Sequence, residues 1–372
     1  MTDLSIDLLH VQIPMTEPFR ISSGWVDKKD AILVRLESEG LVGWGEASPM
    51  AGAFYSAETP ESTFEFLRDK ALPLLLEDGR LDPAWVVETM KKHPEERFAW
   101  TGLEGALWDW KTQSEGTSLG KAIGNPAQPV PSGLAVGIYD TPELLVKAVG
   151  GYLEQGGYLR VKVKIQPGWD RVPLLAIRDA FPEVPLMVDA NAAYRLPDHL
   201  EVLRSLDEFG LIMIEQPLAS GALEDHARLA EKMATPICLD ESAKDRETVA
   251  RAIDLGACRI VNLKVQRLGG MIATREVYDL CATRGIPTWM GTMPELGLGS
   301  MHALYLATLP HHGYPTDVES SARWFLEEIL DPPIEAKEGL IRIPEAHRER
   351  PQIDAAAIEK RLLRRWRADS AR

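Results

Sequence analysis

Cysteine is scarce: Cys238, Cys258 and Cys281 are the only three in 372 residues, and no two share a Cys-x-x-Cys spacing. A disulfide scaffold and a cysteine-built zinc site are therefore not expected. No apolar run approaches the roughly 18 residues of a membrane-spanning helix. Positive charge is also short, with 41 Lys and Arg against 56 Asp and Glu, a formal net charge of −15. That balance argues against nucleic acid and anionic membrane as partners, since both select clustered cations. The opening residues Met1–Leu4 lack the basic and apolar regions of a secretory leader, so a reducing, cytoplasmic setting is expected. Neither Gly269-Gly270 nor Gly297-Leu298-Gly299 forms a dinucleotide fingerprint. No nucleophilic serine or cysteine motif stands out.

What is present is an ordinary soluble composition, 45% apolar and 26% charged, in a chain long enough for a barrel plus an accessory domain. Residues 1–125 read as an α+β unit, strands first and helices after. Ser5–Gln12 and Ala31–Glu39 alternate apolar and polar residues, flank a predicted loop at Thr16–Gly24, and precede a third strand at Gly43–Glu46. Helical patterns follow near 60–75, 83–92 and 98–114. Over residues 126–324 short apolar strands alternate with amphipathic helices. The strands read are Ser132–Val136, Arg160–Ile165, Leu186–Asp189, Leu211–Glu215, Ile237–Asp240, Arg259–Lys264, Pro287–Gly291 and, weakly, Tyr314–Val318. Seven to eight βα units predict an α/β fold, a modified TIM-type (β/α) barrel with an α+β capping domain. Residues 325–372, with a strand at Leu340–Ile343 and a basic helix at Lys360–Arg367, are expected to complete the cap. That basic helix reads as a solvated face or a contact between copies, and a homo-oligomer is expected. His311-His312 reads as surface loop.

Five charged residues recur at nearly one βα period. The steps Lys164–Asp189, Asp189–Glu215, Glu215–Asp240 and Asp240–Lys264 are 25, 26, 25 and 24 residues. Each ends an apolar strand, where a charge is costly unless it lines a site. In a parallel barrel these ends open on one face. Asp189, Glu215 and Asp240 form a hard-oxygen ligand set, suited to Mg²⁺ with Mn²⁺ as a substitute. Lys162 and Lys164 lie two apart and point the same way. Their mutual repulsion is expected to lower a lysine pKa and free one amine as a base. Lys264 lies on the far side of the metal strands. A carbon acid between Lys164 and Lys264 has one lysine on each face, while the metal holds its carboxylate.

This arrangement resembles the muconate-lactonising subgroup of the enolase superfamily over nearly the whole chain. The motifs are Lys162-Val163-Lys164, Asp189-Ala190-Asn191, Ile214-Glu215-Gln216-Pro217, Leu239-Asp240-Glu241-Ser242, and Asn262-Leu263-Lys264 with Gly269-Gly270. The resemblance implies two acid/base lysines and three Mg²⁺ carboxylates, under a cap whose loops set specificity. Glu17-Pro18-Phe19-Arg20, Phe54-Tyr55-Ser56 and Glu58-Thr59 are similar to the capping loops of the o-succinylbenzoate synthase / N-succinylamino acid racemase family. So are Gly168-Trp169-Asp170, Ala192-Ala193-Tyr194 and Asp225-His226-Ala227-Arg228-Leu229 further on. Three departures stand out. Ala135 replaces a frequent serine, Val265-Gln266-Arg267 a usual Pro-Gly/Ala-Arg, and Gly291-Thr292-Met293-Pro294-Glu295 a Gly-Gly-Met-Leu-Glu run. The last two are expected to border the pocket mouth.

The implied activity is metal-dependent removal of a proton α to a carboxylate through an enediolate, on a small-molecule carboxylate. Dehydration to o-succinylbenzoate, in menaquinone synthesis, leads. Racemisation of N-acylamino acids is the alternative, with dipeptide epimerisation or cycloisomerisation behind it. Dipeptide epimerases commonly carry an acidic pair near the eighth strand, for which Asp317-Val318-Glu319 is the candidate. A non-catalytic binding module is the different-class alternative. Catalysis is expected from Lys164, Lys264 and Lys162, and substrate contacts from Phe19, Arg20, Tyr55, Asn191, Glu241, Met290, Gly291 and Met293.

Overall fold

The computed structural model describes residues 4–52, 55–124, 128–344 and 350–369. Phe54 and the expected domain boundary at 125/126 lie outside the described residues. The first unit is an antiparallel sheet of β1 (Leu4–Ile21), β2 (Gly24–Ser38) and β3 (Leu41–Ala47), followed by helices α1 (Pro60–Phe66), α2 (Leu72–Asp78), α3 (Pro83–Met90) and α4 (Arg97–Ser114). The predicted loop at Thr16–Gly24 is instead mostly strand. β1 runs on to Ile21, and its register against β2 slips between Pro14 and Phe19. Pro14 and Pro18 have no N–H to give a ladder, which accounts for the slip. The turn shrinks to Ser22-Ser23, whose Ser22 Oγ donates to Ala190 O at 3.1 Å, so the hairpin tip reaches the second unit.

Alternation along β2 sorts the cap core into two. Ile32, Val34 and Leu36 join Trp100, Leu103 and Leu107 of α4. Ala31 and Leu33 face a second cluster with Leu296, Trp324 and Phe325. The sheet and α4 meet backbone to backbone at Gly45, where a Cβ would lie 1.9 Å from Gly102 O.

After β4 (Val130–Pro131) come the parallel strands β5 (Leu134–Val136), β6 (Val161–Lys164), β7 (Leu186–Asp189), β8 (Ile214–Glu215), β9 (Ile237–Leu239), β10 (Ile260–Leu263) and β11 (Thr288–Met290). They form one curled sheet in sequence order. The eighth strand expected at Tyr314–Val318 is not a regular one. The segment bridges both edges in parallel, His312 to Thr288 and Thr316 to Ser132, and Pro315 between them lacks a donor. It closes the barrel as an irregular stave, giving the modified TIM-type barrel with an α+β cap.

Alternation also explains the barrel interior. Val161 and Val163 of β6 face the outer helices, while Lys162 and Lys164 face in. Met187, Met213, Cys238, Ile260 and Trp289 form an apolar inner layer. Two residues further along each strand stand Asp189, Glu215, Asp240, Asn262 and Gly291, one inward step nearer the mouth.

The remaining strands are β12 (Leu330–Asp331), β13 (Ala336–Lys337), β14 (Leu340–Ile341), β15 (Gln352–Ile353) and β16 (Leu362–Asp369). The strand β14 is shorter than expected. The basic helix is a larger correction: the helix covers Ala355–Arg361, and Leu362–Arg367 lies in β16, antiparallel to β1 from Val11↔Leu362 to Ser5↔Asp369. The residues alternate in exposure, with Leu362, Arg364 and Trp366 turned inward and Leu363, Arg365 and Arg367 outward. Charge on an outer strand discourages pairing with another sheet.

Candidate active site

Five strand ends converge on one buried cluster. Oxygen atoms of Asp189, Glu215 and Asp240 all lie within 4.8 Å of one another, and the three side chains are fully buried. Lys164 Nζ donates to Asp189 Oδ2 at 2.5 Å and to Asn191 Oδ1 at 2.9 Å. Asn191 Nδ2 in turn donates to Glu241 Oε1 at 3.0 Å. On the opposite flank Lys264 Nζ donates to Asp240 Oδ2 at 3.0 Å and to Tyr55 OH at 2.9 Å. Arg267 pairs with the other oxygen of Asp240. Beneath them Lys162 Nζ donates to Glu215 Oε2 at 3.1 Å and to Asp317, which also takes Arg160 at 2.8 Å. Asn262 Nδ2 donates to Glu215 Oε1 at 2.6 Å. Gln216, with φ of +37°, uses its Oε1 to accept the N–H groups of Asp240 and Ser242 at 2.9 and 3.1 Å, fixing the end of β9.

The electrostatics fit a divalent cation. Burial first, and then the neighbouring Asp189 carboxylate, pushes Glu215 up to about 7, the behaviour of crowded acids short of positive charge. Burial would raise Asp240 too, but Arg267 and Lys264 outweigh it and hold that carboxyl well below its usual range. Burial opposes charge on Lys264, yet Asp240 and Tyr55 raise it well above an ordinary lysine. For Lys162 the expected lowering by Lys164 does not arise. Burial works against the ammonium, but Asp317, Glu215 and Asp189 together raise its pKa. Three buried carboxylates with no histidine or cysteine among them form a hard-oxygen donor set.

Residues 144–347 match the family described as enolase C-terminal domain-like, and residues 4–124 match the mandelate racemase / muconate lactonizing enzyme N-terminal domain. The chain belongs to the enolase superfamily. An o-succinylbenzoate synthase from Geobacillus kaustophilus is 40% identical over 354 residues, 95% of this chain and 94% of the relative. An N-succinylamino acid racemase from Amycolatopsis sp. is 42% identical over 328 residues, 88% and 89% of the two chains. A solved enolase-superfamily member from Listeria innocua superposes with a TM-score of 0.92 at 32% identity, covering 99% of each chain. Such relatives imply an enzyme with a small-molecule carboxylate substrate. Among the described residues no helix is long and apolar enough to cross a membrane.

In this enolase-superfamily chain the cavity between the lysines is lined by Phe19, Ile21, Met50, Tyr55, Ala135 and Met293, together with Lys162, Lys164 and Lys264. Phe19, Tyr55 and Met293 thus lie with the lysines, and Asn191 and Glu241 lie one hydrogen bond behind Lys164. Gly291 stands against the Asn262 amide, where a Cβ would be 2.3 Å from Oδ1. Two expected contacts are placed elsewhere. Arg20 follows Phe19 on β1 and so faces the other way, 3.6 Å from Asp140. Met290 alternates with the inward Trp289 and packs in the outer layer.

The departures from the family pattern sort likewise. Thr292, Met293 and Pro294 line the cavity, but Gln266 turns to the cap. The acidic pair is already engaged. Asp317 holds Lys162 and Arg160, while Glu319 accepts Ala135 N at 2.9 Å and lies 3.6 Å from Arg323. Asn262 and Arg267 stand in the quoted motifs without a role of their own there, and Trp324, which lines the cavity, carries no sequence signal. Asn262 was findable, because alternation puts it inward two residues before Lys264.

Proposed function

We propose that the protein is an o-succinylbenzoate synthase, eliminating water from the cyclohexadiene precursor of o-succinylbenzoate in menaquinone synthesis. The observation that carries this reading is the pair of buried lysines on opposite flanks of a buried carboxylate triad. The 40% identity to a relative of that name over 95% of the chain supports it.

Asp189, Glu215 and Asp240 would hold Mg²⁺, with Mn²⁺ able to replace it; once bound, the ion offsets charge on the substrate carboxylate as the α-proton leaves. Lys164, in its neutral form, takes that proton on Nζ. It then returns the proton to the β-hydroxyl on the same face, so the C–O bond breaks, water departs and the ring becomes aromatic. Lys264, held by Asp240 and Tyr55, keeps its charge toward the developing enediolate oxygens. Lys162, with donors committed to Glu215 and Asp317, supplies fixed positive charge rather than a mobile proton. Phe19, Ile21 and Met293 give the ring an apolar wall that excludes water. This reading places the enzyme in the cytoplasm as a homo-oligomer.

Racemisation of N-succinylamino acids is the second reading, favoured by the 42% identity to a racemase. Both lysines then carry protons. Dipeptide epimerisation is disfavoured because Asp317 and Glu319 already bind internal cations. A non-catalytic module is disfavoured by the cost of burying so many charges without use. The test is to supply the purified protein and Mg²⁺ with the cyclohexadiene precursor and follow the aromatic product by absorbance. Product formation that stops with chelator supports the synthase. No product, alongside α-hydrogen exchange from both enantiomers of an N-succinylamino acid, overturns it in favour of the racemase.

A further inference from the structure

Gln266 lies two residues beyond Lys264 and is buried. Its amide is not spent on the cavity. Oε1 accepts the backbone N–H of Ser48 at 3.0 Å, and Nε2 donates to Glu46 O at 3.0 Å. A primary amide offers one acceptor beside a donor, the complement of a backbone N–H and C=O, so the contact acts like a rung of sheet ladder. The Glu46 carboxylate then accepts Leu296 N and Gly299 N at 2.8 and 2.7 Å, at the start of the helix Gly297–Ala307. Residues 46–48 are thereby bound to the segments that follow both β10 and β11. Further along the same stretch, Met50 and Tyr55 line the cavity, and Tyr55 OH touches both Lys264 Nζ and Asp240 Oδ2. Lys264 thus meets the cap at two places, directly at Tyr55 and, through Gln266 two residues on, at Glu46 and Ser48.

We propose that Gln266 is a positioning residue that fixes Ser48, and with it Met50 of the cavity wall, relative to Lys264. The catalytic consequence rests on the proposed role of Lys264; the tie itself does not. An apolar side chain at this position makes neither bond, and only an amide offers the acceptor and the donor together, so the coupling is a property of the residue and not of the fold.

Gln266→Met keeps the length and volume of the side chain and removes both hydrogen bonds. Two quantities are read. The first is hydrogen exchange at the Ser48 amide, which should be as slow as the inner amides of β2 in the unsubstituted protein. It should become about tenfold faster or more in the variant, the scale of one buried hydrogen bond. The second is α-hydrogen exchange from each enantiomer of an N-succinylamino acid. The face served by Lys264 should slow about tenfold, with kcat falling more than KM changes, while the Lys164 face stays within about threefold. A fast Ser48 amide in the unsubstituted protein overturns the proposal without any variant. Unchanged Ser48 protection in Gln266→Met, or an equal loss on both faces with a lowered melting temperature, also overturns it. If the unsubstituted protein exchanges no α-hydrogen from N-succinylamino acids, the racemase reading fails and the second quantity is read as aromatic product formation, whose kcat should fall about tenfold in Gln266→Met; an unchanged kcat overturns the catalytic consequence, and Ser48 still decides whether the tie exists.

Discussion

Replacing Lys264 by arginine separates the two proposed chemistries. The ammonium sits 3.0 Å from Asp240 Oδ2 and 2.9 Å from Tyr55 OH, so a guanidinium there meets the same acceptors and keeps the positive charge. It cannot act as a base, because arginine stays protonated at every usable pH. Racemisation needs a neutral amine on this face for one enantiomer and an acid for the other. Removing a positioned acid/base costs about two to four orders of magnitude, so racemisation should fall by about a thousandfold, or about 4 kcal/mol in barrier. Dehydration needs only charge at this position. Its loss comes from fitting a larger group into a packed site, about 1–3 kcal/mol, or about 5- to 150-fold. The assay runs aromatic product formation and ¹H NMR α-hydrogen exchange in deuterated buffer on the same preparation. Exchange should survive from one enantiomer only. Equal exchange from both, or dehydration lost as completely as racemisation, refutes the two-face assignment.

Chelation should abolish activity and Mg²⁺ or Mn²⁺ restore it, and Asp240→Asn should weaken calorimetric Mg²⁺ binding while circular dichroism is retained; full activity in excess chelator refutes the triad. Asp317→Asn strips Lys162 and Arg160 of a buried carboxylate, and should cost about 3–5 kcal/mol in urea unfolding; a loss under about 1 kcal/mol refutes the pairing. Burial raises Glu58, Glu295 and Glu328 to about 7 and Glu104 and Glu319 to about 8. Between about pH 5 and 8 the folded chain therefore keeps protons that the unfolded chain has released, so thermal stability should fall as pH rises through that window. A melting temperature that rises from pH 5 to 8 contradicts this.

The barrel and the site were legible because both write a period into the chain. Charged residues at the ends of apolar strands, one βα unit apart, have no cheap structural reason to exist, and alternation orients them inward. Where a local rule met a competing one, legibility failed. The run Leu-Leu-Arg-Arg-Trp-Arg at 362–367 has no alternation of residue type, so the strand is set by its pairing with β1, and only the exposure of its side chains alternates. The run 16–21 is strand despite Pro18 because Phe19 and Ile21 are buried, in a cluster that includes Ala135 of the barrel. Arg20 and Met290 were named from their neighbourhood, yet each is the odd partner of an alternating pair. Gln266 showed only as an unusual residue in a motif, because its partners are backbone atoms about 220 positions away.

The pairing of β16 with β1 has a consequence for synthesis. Ser5 lies opposite Asp369 and Val11 opposite Leu362, so one edge of the cap sheet waits for residues translated some 350 positions later. While the ribosome is still making the barrel, β1 offers an open row of backbone donors and acceptors beside apolar side chains. That edge is a template for strand capture by another nascent chain. The three arginines of β16 then do more than fill the gap: when they arrive, they replace an adhesive edge with a charged one.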